Sequence, residues 1–134
     1  MRWLLLFCLP LAAQAQGHSS VCDFYLHKSQ ELGCPDSNYL NRFGYTYCRA
    51  YAEAQDQFSP QGVAMLEKIR PCLILALANA PNLSCENARR IAEQSHVACY
   101  HDSGFCELPA RDTWLLAEIA WREFFDHRFR RVMS

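Results

Sequence analysis

The sequence predicts an all-α fold, a bundle of about five helices stapled by disulfides. Three observations carry this. β-branched residues are few and period-two alternation is sustained nowhere, so strand signals are missing. Apolar residues instead recur at spacings of three and four, the steps that return to the same face of a helix. Cysteines are dense, eight in 134 residues, which in a small exported domain reads as a covalent framework.

The first helix is expected from Val21 to Gly33, where Gly33 before Cys34-Pro35-Asp36 is a stop. A second starts with Ser37 or Asn38 as cap and lines up Leu40, Phe43, Tyr47, Tyr51 and Ala54 on one stripe. Gly44 costs that helix about 1 kcal/mol relative to alanine. The third has the clearest start, Ser59 as N-cap and Pro60 at the first helical position. Met65, Ile69, Cys72 and Leu73 follow on one side, and Pro71 is expected to kink the helix. Residues Asn79 to Leu83 form a loop, after which Ser84 caps a fourth helix with Cys85, Ala88, Ala92, Ser95 and Cys99 on one face, widened by Ile91. His101 to Gly104 is a turn. The last helix starts near Asp112 or Thr113, with Trp114, Leu115, Ala117, Trp121, Phe124, Phe125 and Phe129 as its apolar stripe.

Arg2, the apolar run Leu4 to Leu9 and the small-x-small site Ala13-Gln14-Ala15 have the layout of an export signal. Residues 1–15 are therefore read as a signal peptide, with residues 16–134 as one secreted, extracellular helical domain beginning at Gln16. The signal's apolar run falls short of the roughly 20 residues that span a bilayer, and no later stretch approaches that length, so no transmembrane segment is expected. Without Arg2 the domain carries 12 basic and 14 acidic residues, a balance that argues against nucleic acid as a partner. The cluster Arg122, Arg128, Arg130 and Arg131 is read as a solvated helix end, where cations suit the helix dipole. Asn82-Leu83-Ser84 is a glycosylation sequon in a surface loop, making Asn82 the candidate sugar carrier.

A search for chemistry finds no enzyme. The run Ser95 to Asp102 partly resembles the active-site helix of secreted phospholipases A2, but Val97 stands where that family has its calcium-binding Asp. Without the metal nothing stabilises a developing oxyanion, and His96 is expected to pack with one nitrogen satisfied. Cys106 paired with His96 or His101 would need a free thiolate of low pKa, whereas exported thiols are usually oxidised. His101-Asp102 alone is no metal site, and no Cys-x-x-Cys zinc spacing occurs. No catalytic residue, metal ligand or cofactor is expected.

Seven cysteines follow the signal: Cys22, Cys34, Cys48, Cys72, Cys85, Cys99 and Cys106. An odd set leaves at least one thiol free or bonded to another chain, and spacing alone leaves the pairing open. Cys48 runs through nine residues to Phe58-Ser59-Pro60-Gln61-Gly62, then nine more to Cys72; Cys85 is followed after thirteen by Cys99-Tyr100, with Cys106 beyond. This register resembles the central region of the stanniocalcins, secreted glycoprotein hormones, over Cys48 to Cys106.

The resemblance implies the bridges Cys22–Cys48, Cys34–Cys85 and Cys72–Cys99. It also implies a protein partner in the extracellular space, a receptor or a protease, in the setting of calcium and phosphate homeostasis. The stanniocalcin counterpart of Cys106 bonds a cysteine further along, and none follows Cys106 here. Cys106 is thus the odd thiol and the candidate link of a homodimer. The alternative function is a secreted, non-hormonal binding or effector module on the same scaffold.

Overall fold

The computed structural model describes residues 21–133, with side chains through Glu123. The expected export segment, the Gln16 start and the side chains of Phe124, Phe125, Phe129, Arg128, Arg130 and Arg131 lie outside the described residues. Five α-helices follow in order: α1 (Asp23–Glu31), α2 (Thr46–Glu53), α3 (Pro60–Ala78), α4 (Ala88–Asp102) and α5 (Ala110–Met133). A π-helical turn, Leu40–Tyr45, leads into α2; short 3-10 turns, Gln55–Gln57 and Phe105–Glu107, precede α3 and α5. Among the described residues there is no strand. The fold is the disulfide-stapled all-α bundle that the sequence predicts.

Local chemistry explains most of the boundaries. Gly33 ends the α1 segment at φ +69°, a conformation glycine enters without the Cβ penalty of other residues. Ser59 N-caps α3, its hydroxyl accepting from the Gly62 N–H at 3.1 Å, and Pro60 follows at the first helical position. The helix continues through Pro71 to Ala78.

Three elements depart from the sequence reading. The stretch ahead of α2 is not one α-helix from Ser37 or Asn38, because its first turns are π-helical. That segment contains Gly44, where a Cβ would collide with the Tyr25 ring, so the glycine is a contact surface for α1. Regular α4 begins at Ala88 rather than directly after Ser84. Ser84 and Asn87 exchange bonds across the intervening turn: the Ser84 N–H donates to Asn87 Oδ1 at 2.8 Å, and the Asn87 N–H to Ser84 Oγ at 3.2 Å.

The third departure concerns the buried face of α5. Leu116 and Ile119 are in the core, whereas Trp114 and Trp121, expected there, are 77% and 61% exposed, and Ala117 is exposed too. Asp112 sets the phase. It is fully buried, accepts the Ser59 N–H at 3.0 Å on Oδ1 and takes the Ser59 hydroxyl on Oδ2. With Asp112 turned inward, positions four and seven residues later point the same way and Trp114 and Trp121 fall opposite.

Two clusters form the interior. One joins α3, α4 and α5 through Phe58, Met65, Leu66, Ile69, Cys99, Leu116 and Ile119. The other joins α1, the π-helical turn, α2, the end of α3 and α4 through Cys22, Tyr25, Leu40, Cys48, Leu77, Ala88 and Ala92. Three disulfides tie the elements: Cys22–Cys48, Cys34–Cys85 and Cys72–Cys99, with Cα atoms 5.6, 5.5 and 5.7 Å apart.

Candidate functional site

A cavity of about 330 Å³ lies between the two clusters. Its wall combines the stripe of the π-helical turn and α2 with facing residues of α1, α3, α4 and α5. Tyr39 and Phe43 stack with ring centroids 5.9 Å apart, and Phe43 and Tyr47 stack at 6.2 Å. These rings form one side with Tyr51. Met65, Leu66, Ile69 and Leu73 of α3 supply an aliphatic side, closed by Leu116 and Ala120 of α5. Tyr25 enters from α1, and Arg89, Ala92, Glu93, His96 and Tyr100 from α4.

The tyrosines differ in how their hydroxyls are satisfied. Tyr51 donates to the Leu116 carbonyl at 3.1 Å and Tyr47 to the Ala120 carbonyl at 3.4 Å, which ties α2 to α5. The hydroxyls of Tyr25, Tyr39 and Tyr100 have no hydrogen-bond partner among the described residues. Burial disfavours the phenolate and pushes Tyr39 up to about 12. It also raises Tyr25, Tyr51 and Tyr100 above the ordinary phenol value. Tyr25, Tyr39 and Tyr100 line the same cavity from three separate elements.

The charged groups of the wall already have partners. Arg89 Nε pairs with Glu93 at 2.9 Å, and its guanidinium carbon lies 5.4 Å from the Phe43 ring centroid. Arg70, buried, donates from Nη2 to Gln55 Oε1 at 2.6 Å; its Nε has no partner, and desolvation lowers its pKa.

The residues singled out in the sequence are dispersed. His96 Nδ1 meets the Ala92 carbonyl at 2.6 Å and its ring stacks on Tyr100 at 5.9 Å, so one nitrogen is engaged, half-buried in the cavity wall. His101 and Asp102 contact each other at 3.2 Å on the surface, each side chain 75% exposed. Cys106 is an exposed, unbridged thiol on the 3-10 turn before α5. Asn82 is exposed in the loop ahead of α4, at φ +61°, a left-handed conformation that asparagine tolerates better than most residues. Among the described residues, no three His, Cys, Asp or Glu side chains group as metal ligands, and no helix is long and apolar enough to cross a membrane.

Sequence reasoning places Phe43, Tyr47 and Tyr51 on one stripe but identifies no cavity there. The signal for a cavity was the stripe's composition, three aromatic residues of which two carry hydroxyls that a dry core would have to satisfy. Comparison with protein-family models, curated proteins and solved structures finds no match to this chain.

Proposed function

We propose that this chain is an exported regulatory protein on a stanniocalcin-like scaffold, acting by contact with another extracellular protein rather than by catalysis. One observation supports the reading above others. Counting from Cys22, the disulfides join the first cysteine to the third, the second to the fifth and the fourth to the sixth. That interleaved order is the one the resemblance implies. Dense bridging also suits a protein that works outside the cell, where thiols oxidise and small cores need covalent support.

The test is to secrete the full chain from cultured cells, sequence its amino terminus and apply it to responding cells. The reading expects a product starting at Gln16, altered calcium or phosphate flux, or inhibition of a secreted metalloproteinase. Correctly bridged protein that is inert in both assays overturns it. In the same preparation Cys106 is expected to cross-link two chains. A band at twice the monomer mass on a non-reducing gel, absent in Cys106→Ser, supports that link; a monomer with a titratable thiol removes it. A mass shift on Asn82 removed by glycosidase would show the sequon used.

The tyrosine-lined cavity favours a second reading, the secreted non-hormonal binding module. Its interior offers recognition chemistry to a small molecule, which protein–protein signalling does not require.

A further inference from the structure

We infer that the cavity binds a small, uncharged, largely apolar molecule carrying a hydrogen-bond-accepting oxygen, with that oxygen at the hydroxyls of Tyr25, Tyr39 and Tyr100 and the carbon skeleton against Phe43, Leu66 and Ile69. This inference does not depend on the stanniocalcin-like reading.

Four features lead to it. At about 330 Å³ the cavity falls in the size range of small-molecule sites, which run from roughly 300 to 1,000 Å³. Its wall is mostly aromatic and aliphatic, so apolar surface entering it leaves water. A phenol hydroxyl lining a cavity can take a hydrogen-bond partner from the protein or from a bound molecule. Tyr47 and Tyr51 have theirs on α5, whereas Tyr25, Tyr39 and Tyr100, drawn from α1, the stretch before α2 and α4, have none among the described residues. Three donors from three separate elements, all lining the same cavity, supply polar groups to an otherwise mostly apolar chamber.

Charge decides between a neutral ligand and an anion. Glu93 and Arg89 share the cavity wall with Tyr39, and Arg89 is already engaged by Glu93. A carboxylate there would meet a carboxylate of like charge and a cation whose charge is compensated, while losing its own hydration. The buried cation of the wall, Arg70, is turned to Gln55 and bonded to it. A carbonyl or hydroxyl oxygen accepts from the phenols without that desolvation penalty.

The experiment uses the full secreted chain with its disulfides intact and the neutral fluorophore phenylnaphthylamine as the reporter probe. The expected result is a saturable fluorescence rise with one site per chain, reversed by decanone. Decane and decanoate, matched in length but lacking the neutral oxygen, should compete at least about fivefold less well, the equivalent of one good hydrogen bond. Tyr25→Phe, Tyr39→Phe and Tyr100→Phe remove the hydroxyls and keep the rings. Each should weaken decanone by roughly three- to tenfold and leave decane unchanged. Ala92→Phe should fill the chamber and abolish probe uptake; if it fails to fold, the phenylalanine set still decides. Absence of saturable uptake by the unmodified chain overturns the inference. So does a preference for decanoate, or a decanone-to-decane ratio that none of the three phenylalanine variants changes.

Discussion

Around Leu66 and Ile119 the helices meet through large aliphatic side chains, whereas around Cys22 and Ala88 they meet through small residues and sulfur. The first region buries Met65, Leu66, Ile69, Leu116 and Ile119 with Phe58 around a single bridge, Cys72–Cys99. Each such side chain contributes about 1.5–3 kcal/mol when fully removed from water. The second has only Tyr25, Leu40 and Leu77 as large buried side chains, yet it holds the Cys22–Cys48 bridge and packs against Cys34 of the Cys34–Cys85 bridge. Sulfur replaces packing where α1 is short and α4 presents alanines. That trade has a functional side. A region closed by covalent links can border a cavity without collapsing into it, and Tyr25, Cys48, Leu77 and Ala92 of the second cluster all line the cavity.

The largest expected effect comes from opening that covalent end. Cys34→Ser with Cys85→Ser releases a closure across 51 positions, worth about 4 kcal/mol on loop-entropy grounds. Cys72→Ser with Cys99→Ser releases one across 27, worth about 3.5 kcal/mol. The two totals are close, so the location of the loss is the better discriminator. Hydrogen exchange should show the first variant losing protection in α1 while α3 and α5 keep theirs. Simultaneous loss throughout would show that the two regions unfold as one and break the comparison.

Asp112 is the next target, on the packed side. Its carboxylate, fully buried, receives both the backbone and the hydroxyl of Ser59, and that hydroxyl in turn accepts from Gly62. A Cβ at Gly62 would run into the Asp112 carboxylate, so the two helix starts are in direct contact. Asp112→Ala strips the Ser59 N–H of its acceptor and leaves a void, with an expected loss of about 3 kcal/mol in a urea titration. Ser59→Ala should cost less, about 1–2 kcal/mol. If the double variant costs as much as the sum of the singles, the two residues are not acting as one clamp.

The same clamp shows what could be read before the structure and what could not. Ser59-Pro60 identified the start of α3 because an N-cap and a first-position proline are local chemistry, visible within four residues. Likewise Gly33 marked its stop by backbone permissiveness alone. The face that α5 buries was misassigned because Trp114 and Trp121 outweigh Leu116 and Ile119 in any count of apolar surface. The deciding contact, Asp112 on Ser59, spans 53 positions. Gly44 was read as a weak point in a helix, since nothing near it in sequence announces the Tyr25 ring. The cavity was hidden for the same reason: its tyrosines come from elements distant in sequence, and only the stripe on α2 and its preceding turn was visible as a pattern.

Gly44 offers a smaller and sharper perturbation of the covalent side. A methyl group there meets the Tyr25 ring. Gly44→Ala should therefore destabilise by about 1–3 kcal/mol despite alanine's better helix propensity. In a Tyr25→Leu background, where the ring is gone, the same change should cost less and could become favourable by up to about 1 kcal/mol. An identical penalty in both backgrounds would place the strain somewhere other than the α1 contact.

The smallest effect is expected at the surface of α2, where Arg49 pairs with Glu53 at 3.1 Å, with the side chains 39% and 67% exposed. Two exposed, flexible partners one helical turn apart gain little over their hydration, and salt screens what remains. Arg49 also donates to the Tyr45 hydroxyl at 3.0 Å and lies 5.7 Å from the centre of that ring, so removing Glu53 leaves the guanidinium held. Glu53→Gln should shift the urea midpoint by the equivalent of no more than about 0.5 kcal/mol, and by less in high salt. A loss several times larger would mean that α2 depends on its surface charges. The covalent side would then owe its stability to more than the bridges and the few buried side chains assigned to it.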